Sequence, residues 1–177
     1  MAVVDGFLFA WNKNRVYGAN LIADLDESQM TLQIAPDGMA AANHPAWVYS
    51  HLNVYFSVME AIIKNQPFED PKGHQFGMES KPLSDASIYA TKQQLAADFD
   101  SGHERVAELL KQVGDDVLNN EIKMPRWKKV MPTAAYALPY LMCNHENIHL
   151  GQVSAWRRIQ GLASVWISLA LLALTVT

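Results

Sequence analysis

The sequence predicts an all-α protein: a four-helix bundle with long connections and a site between its helices. Three observations point there. Four long segments carry apolar residues at helical spacing. No stretch shows strand-like alternation, an internal repeat or a Gly-rich phosphate loop. The last segment holds His145-Glu146-Asn147-Ile148-His149, two imidazoles one helical turn apart on a single face. Bundles build metal sites from such inward-facing side chains.

The first helix is predicted from about Asp5 to Leu25. Leu8, Trp11, Ile22 and Leu25 fall near helical spacing with Leu21 beside them, and Asp24, Asp26 and Glu27 close it on the polar side. Pro36-Asp37-Gly38 is turn chemistry. The second helix opens at Pro45, where a missing N–H costs nothing, with Asn43 or His44 as cap. Trp47, Val48, His51, Tyr55, Val58 and Ile62 form its stripe, and Pro67 ends it. Residues 66–84 are a Pro- and Gly-rich loop, long enough to be mobile or a site wall. The third helix is expected after Ser84-Asp85, running to about Val113 with Gly114 as its stop. Leu95, Phe99, Val106, Leu109, Leu110 and Val113 supply its apolar side. A loop covers 114–132. The fourth helix opens after Pro132-Thr133 and continues to about Gly161. Pro139 inside it predicts a kink or an opened turn just before His145.

The 177 residues suffice for one domain with a real core. The expected division is a bundle over 1–162 and an apolar extension over 163–177. Half the residues are apolar and 18% are charged, a globular composition. A net charge of −4 argues against a protein that holds nucleic acid through its phosphates. The local cluster Lys123, Arg126, Lys128 and Lys129 reads as a solvated loop. Cys143 is the sole cysteine, so no internal disulfide forms, which fits a reducing compartment. Asp5 interrupts the N-terminus early and no basic residue precedes Phe7, so there is no signal-peptide form and the expected location is cytoplasmic.

No charged residue follows Arg158. As a helix, 159–177 would be about 28 Å long, near a bilayer core, with Arg157 and Arg158 placed as flanking charges. Gly161 shortens the candidate span, so the expectation is packing on the bundle or across a dimer interface. Membrane contact through 163–177 is the alternative.

A zinc protease of the zincin type also uses H-E-x-x-H, but needs a third ligand downstream. From Leu150 to Thr177 there is no His, Asp or Glu. Any third ligand therefore comes from upstream. His44 and His51 are two helical turns apart, about 10 Å, too far to share one ion. His51 lies mid-helix on the apolar stripe, while His44 reads as a cap. His74, in a Gly/Pro loop, and His103, after Asp98, Asp100, Ser101 and Gly102, both read as solvated. Gln152 shares the face of His145 and His149, either supporting a ligand or satisfying a backbone carbonyl. Glu146 is turned about 100° from His145 and is either a general base or a surface or helix-pairing residue. Cys143 reads as packed. Tyr55 lies one turn beyond His51 and borders the proposed ion.

Asn43-His44-Pro45-Ala46-Trp47-Val48-Tyr49-Ser50-His51-Leu52 resembles the second-helix motif of the DinB-like (DinB/YfiT-like) superfamily of metalloproteins. His145-Glu146-Asn147-Ile148-His149-Leu150-Gly151-Gln152, followed by Trp156-Arg157-Arg158, resembles that family's fourth-helix motif, H-x-x-x-H-x-G-Q with a basic end. The similarity runs from about residue 5 to 162. It implies an up-down-down-up bundle binding one divalent ion, often zinc or nickel, through His51, His145 and His149. It also implies frequent homodimers, and relatives that are thiol-dependent transferases and isomerases using bacillithiol, mycothiol or glutathione. Residues 163–177 have no counterpart in the family pattern.

The resulting expectation is a metal-dependent enzyme acting on a small-molecule substrate. Three imidazoles leave an open coordination position, where a thiol co-substrate or a water is activated as nucleophile. Tyr55, Gln152 and Glu146 are its candidate catalytic residues. The rivals are a non-catalytic metal-binding stress-response bundle, whose ion would be closed by a fourth protein ligand, and a metal-dependent hydrolase.

Overall fold

Helix α1 spans Val3–Ala23, and its exposed N-terminal donors set its position. The N–H groups of Val3 and Val4 donate to the Asp115 carboxylate at 3.0 and 2.9 Å, a negative charge at the positive end of the helix. Cations close the other end. Lys92 Nζ donates to the Ala23 carbonyl at 2.9 Å, and Arg157 Nη1 to that of Leu21 at 2.9 Å. The structure is a computed structural model and describes residues 2–33 and 42–165. The expected turn at Pro36-Asp37-Gly38 lies outside the described residues, as does the apolar extension beyond Val165.

Helix α2 spans Pro45–Ile63. His44 is its cap: Nδ1 accepts from the Trp47 N–H at 3.2 Å and Nε2–H donates to the Leu83 carbonyl at 2.9 Å. Helix α3 spans Lys92–Val113 and begins later than the sequence suggests. Asp85 caps only a single 3-10 turn, Ala86–Ile88, and Thr91 caps the helix, its Oγ1 accepting from the Gln94 N–H. Gly114 stops α3 as expected, at φ 60°, a conformation most side chains resist.

The 114–132 connection is more structured than a loop. It holds a 3-10 stretch, Gly114–Asn119, and a short helix α4, Pro125–Lys128. An isolated antiparallel bridge joins Glu121 to Thr133. Two of its basic residues pair with acids: Arg126 with Asp70, and Lys128 with Glu121 at 2.8 Å.

The fourth bundle helix is continuous in three parts. These are α5, Ala134–Pro139; a π-helical turn, Tyr140–His145; and α6, Glu146–Ile159. The Glu146 N–H bonds back five residues to the Leu141 carbonyl. The opened turn falls where Pro139 predicts it, before His145.

Side-chain bonds fix the helix directions. Val3 meets Asp115 and Arg15 meets Asp100, so α1 and α3 are antiparallel. Asn53 bonds to Leu95 and Arg105 to Glu60, so α2 and α3 run the same way. Asn14 bonds to Met142 and Arg157 to Leu21, so α1 and the fourth helix run together. The bundle is up-down-down-up. Trp11, Leu21, Tyr49, Phe56, Phe99, Leu110, Leu138, Leu150 and Trp156 fill its core. Two glycines permit close approach: a Cβ at Gly102 would lie 2.2 Å from the Phe56 ring, and one at Gly18 2.6 Å from Phe99. No described helix is long and apolar enough to cross a membrane.

Candidate metal centre

The structure brings His51 of α2 together with His145 and His149 of the fourth helix. One ring nitrogen from each lies within 4.8 Å of the others. His145 closes the π turn and His149 stands in the first turn of α6, so both face α2. His51 Nε2 is 3.0 Å from His145 Nε2. At that separation two nitrogen lone pairs need a proton or a cation between them.

Hydrogen bonds on the far side of two rings decide which nitrogen is available. His51 Nδ1–H donates to the Phe76 carbonyl at 2.7 Å. His149 Nδ1–H donates to Gln152 Oε1 at 3.0 Å. Each neutral ring therefore carries its lone pair on Nε2. Gln152 Oε1 also accepts from Asn43 Nδ2 at 2.9 Å, which keeps the amide oxygen turned to the imidazole.

Electrostatics agree with this donor set. Burial, with His149 nearby, lowers the His51 pKa to about 4. Burial lowers that of His145 to about 3, the other two imidazoles adding to the effect. Burial also lowers His149, although the Gln152 bond opposes it. All three are neutral at pH 7, the state that ligates a metal. Among the described residues no other His, Cys, Asp or Glu joins the group.

Aromatic side chains wall the cluster. Trp47 stacks on His51, ring centroids 4.9 Å apart at 15°, and its Nε1–H is tied to Ser80 Oγ at 3.0 Å. The Tyr55 ring lies 4.5 Å from His145 and 5.0 Å from His51. Burial pushes its phenol up to about 12, so it remains protonated. Tyr140, 6.1 Å from His145, is exposed and forms part of the rim.

Glu146 is elsewhere. It is buried in the bundle, with Oε1 3.1 Å from His103 Nε2. Of its two expected roles the structure displays helix pairing. His103 corrects the sequence reading: it is 1% exposed instead of solvated. Its Nδ1–H donates to the Phe99 carbonyl at 2.8 Å, and Trp11 stacks on it at 4.0 Å. Helical phase carried the missed signal, since Phe99, His103, Val106 and Leu110 make one stripe. His74 is exposed, as expected. Cys143 is half-buried, and burial raises its thiol pKa. Asn43 and the Phe76 carbonyl are participants that sequence reasoning missed. A backbone carbonyl has no sequence signature, and the partner of Asn43 is more than a hundred residues away. A groove of about 1110 Å³ between α1 and α3, lined by Leu8, Phe9 and Ala107, holds no comparable convergence of ligand atoms among the described residues.

A bundle with three inward imidazoles on two helices defines a class of protein consistent with metal binding. The model of the DinB superfamily matches residues 10–153, and the chain belongs to that superfamily. The match includes α2, the π turn and all three histidines. No curated protein and no solved structure matches the chain.

Proposed function

We propose that this protein is a divalent-metal-dependent enzyme whose ion is held by His51, His145 and His149. The observation that carries the proposal is the convergence of three neutral imidazoles with no fourth His, Cys, Asp or Glu among the described residues. Zinc and nickel suit an all-imidazole donor set. An ion with an open position supplies Lewis acidity, lowering the pKa of a thiol or water brought to it.

The chain's own residues do the remaining work. The Phe76 carbonyl and Gln152 orient two rings, and Asn43 orients Gln152. Tyr55, protonated at working pH, stands beside His145 as a candidate hydrogen-bond donor to a substrate. Trp47 and Tyr55 shield the ligands from water. Glu146 is engaged with His103 and takes no part as base. Cys143 is half-buried, burial raises its thiol pKa and it stands outside the three-histidine cluster, so this reading takes its nucleophile from outside the chain. Transfer of a low-molecular-weight thiol to an electrophilic carbon is the reaction that family resemblance favours. Hydrolysis uses the same site with water in place of thiol.

The test begins with protein purified without chelator or His tag. One equivalent of metal is expected in the wild type and in His74→Ala. His51→Ala, His145→Ala and His149→Ala should each lose it. A full equivalent bound by His51→Ala with wild-type affinity would refute the site. Millimolar thiol should then alter the visible spectrum of the cobalt-substituted protein. An unchanged spectrum removes the transferase reading and leaves the hydrolase.

A further inference from the structure

The π turn decides which side chains of the fourth helix face the core and which face α2. At regular helical spacing, the buried residues of α5 and the opening of the turn are Ala134, Ala137, Leu138, Leu141 and Met142. The buried residues after it are Glu146, Leu150, Val153, Trp156 and Arg157. The two sets centre about 100° apart on an unbroken helix, the angle of one residue. The turn supplies that one-residue offset.

Its effect on the site is direct. Continued in the phase of α5, His145 and His149 would point at the bundle axis, with Glu146 on the flank. With the turn in place the two histidines swing to the α2 side beside Gln152, and Glu146 goes inward. Burial of a carboxyl group is therefore the counterpart of the histidine placement. A buried carboxyl group and a turn carbonyl both need partners. Asn14 Nδ2 donates to the Met142 carbonyl, inside the turn, at 2.9 Å. His103 Nε2 meets Glu146 Oε1 at 3.1 Å. Both partners are buried, Asn14 at 5% exposure and His103 at 1%. His103 is itself fixed, with Nδ1–H on the Phe99 carbonyl and its backbone carbonyl accepting from Trp11 Nε1.

We infer that Asn14 and His103 are positioning residues: by satisfying the Met142 carbonyl and the Glu146 carboxyl group, they hold the π register that turns His145 and His149 toward His51. They touch no candidate ligand ring. They act from the opposite side of the fourth helix, through its backbone and through Glu146. The inference rests on the three-histidine reading above.

The test is cobalt(II) titration of the full chain, following visible absorption and affinity. Asn14→Ala and His103→Leu should bind cobalt roughly 10-fold or more weakly, the usual effect of losing support behind a ligand. The absorption bands should also shift. Glu146→Gln, whose amide can still donate to His103 Nε2, should retain both affinity and spectrum. Tyr49→Phe is the control, because it removes another buried bond to α1, from Tyr49 to the Gly18 carbonyl. It should lower the melting temperature and leave the cobalt spectrum alone. Asn14→Ala and His103→Leu proteins that melt early yet keep the wild-type spectrum and affinity would overturn the inference, showing only structural support. Should His103→Leu not fold, Asn14→Ala decides alone. A wild-type protein that takes up no cobalt would overturn the metal reading and this inference together.

Discussion

Arg157 is nearly fully buried, and every group it meets closes an end of the bundle. One side of its guanidinium takes both Asp24 oxygens, at 2.6 and 2.8 Å. Nη1 also donates to the Leu21 carbonyl at 2.9 Å and Nη2 to that of Ala163 at 3.1 Å, while the buried Nε–H has no partner among the described residues. The Arg157 hydrogen bond holds the Asp24 carboxyl below the ordinary carboxylate range. A carboxylate depressed in the folded state adds stability above its unfolded pKa, about 4, and loses it as pH falls through the folded value. The melting temperature of the wild type should therefore drop more steeply below about pH 4 than that of Asp24→Asn. Parallel slopes would mean that the pair contributes nothing there. Two glycines offer a second comparison. Gly102→Ala pushes a methyl into the Phe56 ring and should cost about 1–3 kcal/mol. Gly6→Ala, in the same class of backbone with nothing within 4 Å, should gain about 0.5–1 kcal/mol. Thermal or denaturant unfolding of the two variants should give opposite signs.

Between α2 and α3 the chain is long, but α2 ties it down. The His44, Trp47 and His51 side chains bond to Leu83, Ser80 and Phe76 respectively. These residues recur every three or four positions, so one edge of α2 holds the segment against the cluster. His44→Ala removes a cap and a tether together, which should cost about 1 kcal/mol. It should also speed tryptic cleavage at Lys72 and Lys81, while His74→Ala should not. Equal cleavage rates in wild type and His44→Ala would show that the segment is held by its other contacts. Much of this level was legible in the sequence. Helix existence followed from apolar spacing, and the opened turn followed from Pro139. The start of α3 was not legible, because Asp85 and Thr91 are both good caps and only tertiary packing chooses Thr91. Within the site, His145 and His149 were legible because their spacing on one helix is a local property, and His51 because it stands mid-helix on the apolar stripe of α2. Their outer partners were set by a loop carbonyl and by long-range packing, which spacing does not encode. Glu146 and His103 were obscured by local polarity. Their phase with Leu150 and Val153, and with Phe99 and Val106, shows them to be inward-facing.

At the scale of the molecule, the cluster joins two helices that are far apart in sequence. His51 lies on α2, while His145 and His149 belong to the last bundle helix. An unfolded chain cannot present the three nitrogens together, so an ion bound by the folded site stabilises the whole bundle by mass action. At a free metal concentration about 100 times Kd the gain is about 2.7 kcal/mol. For a domain of this size that corresponds to a rise in melting temperature of roughly 5–10 °C. Zinc should produce this rise in the wild type, and a chelator should reverse it. His51→Ala should melt at one temperature with or without zinc. The residue-scale variant Asp24→Asn should melt lower at neutral pH yet show the full zinc-dependent rise, because its ion pair lies outside the cluster. A zinc-dependent rise that persists undiminished in His51→Ala would place the stabilising ion on other groups and separate the bundle's metal dependence from the three histidines.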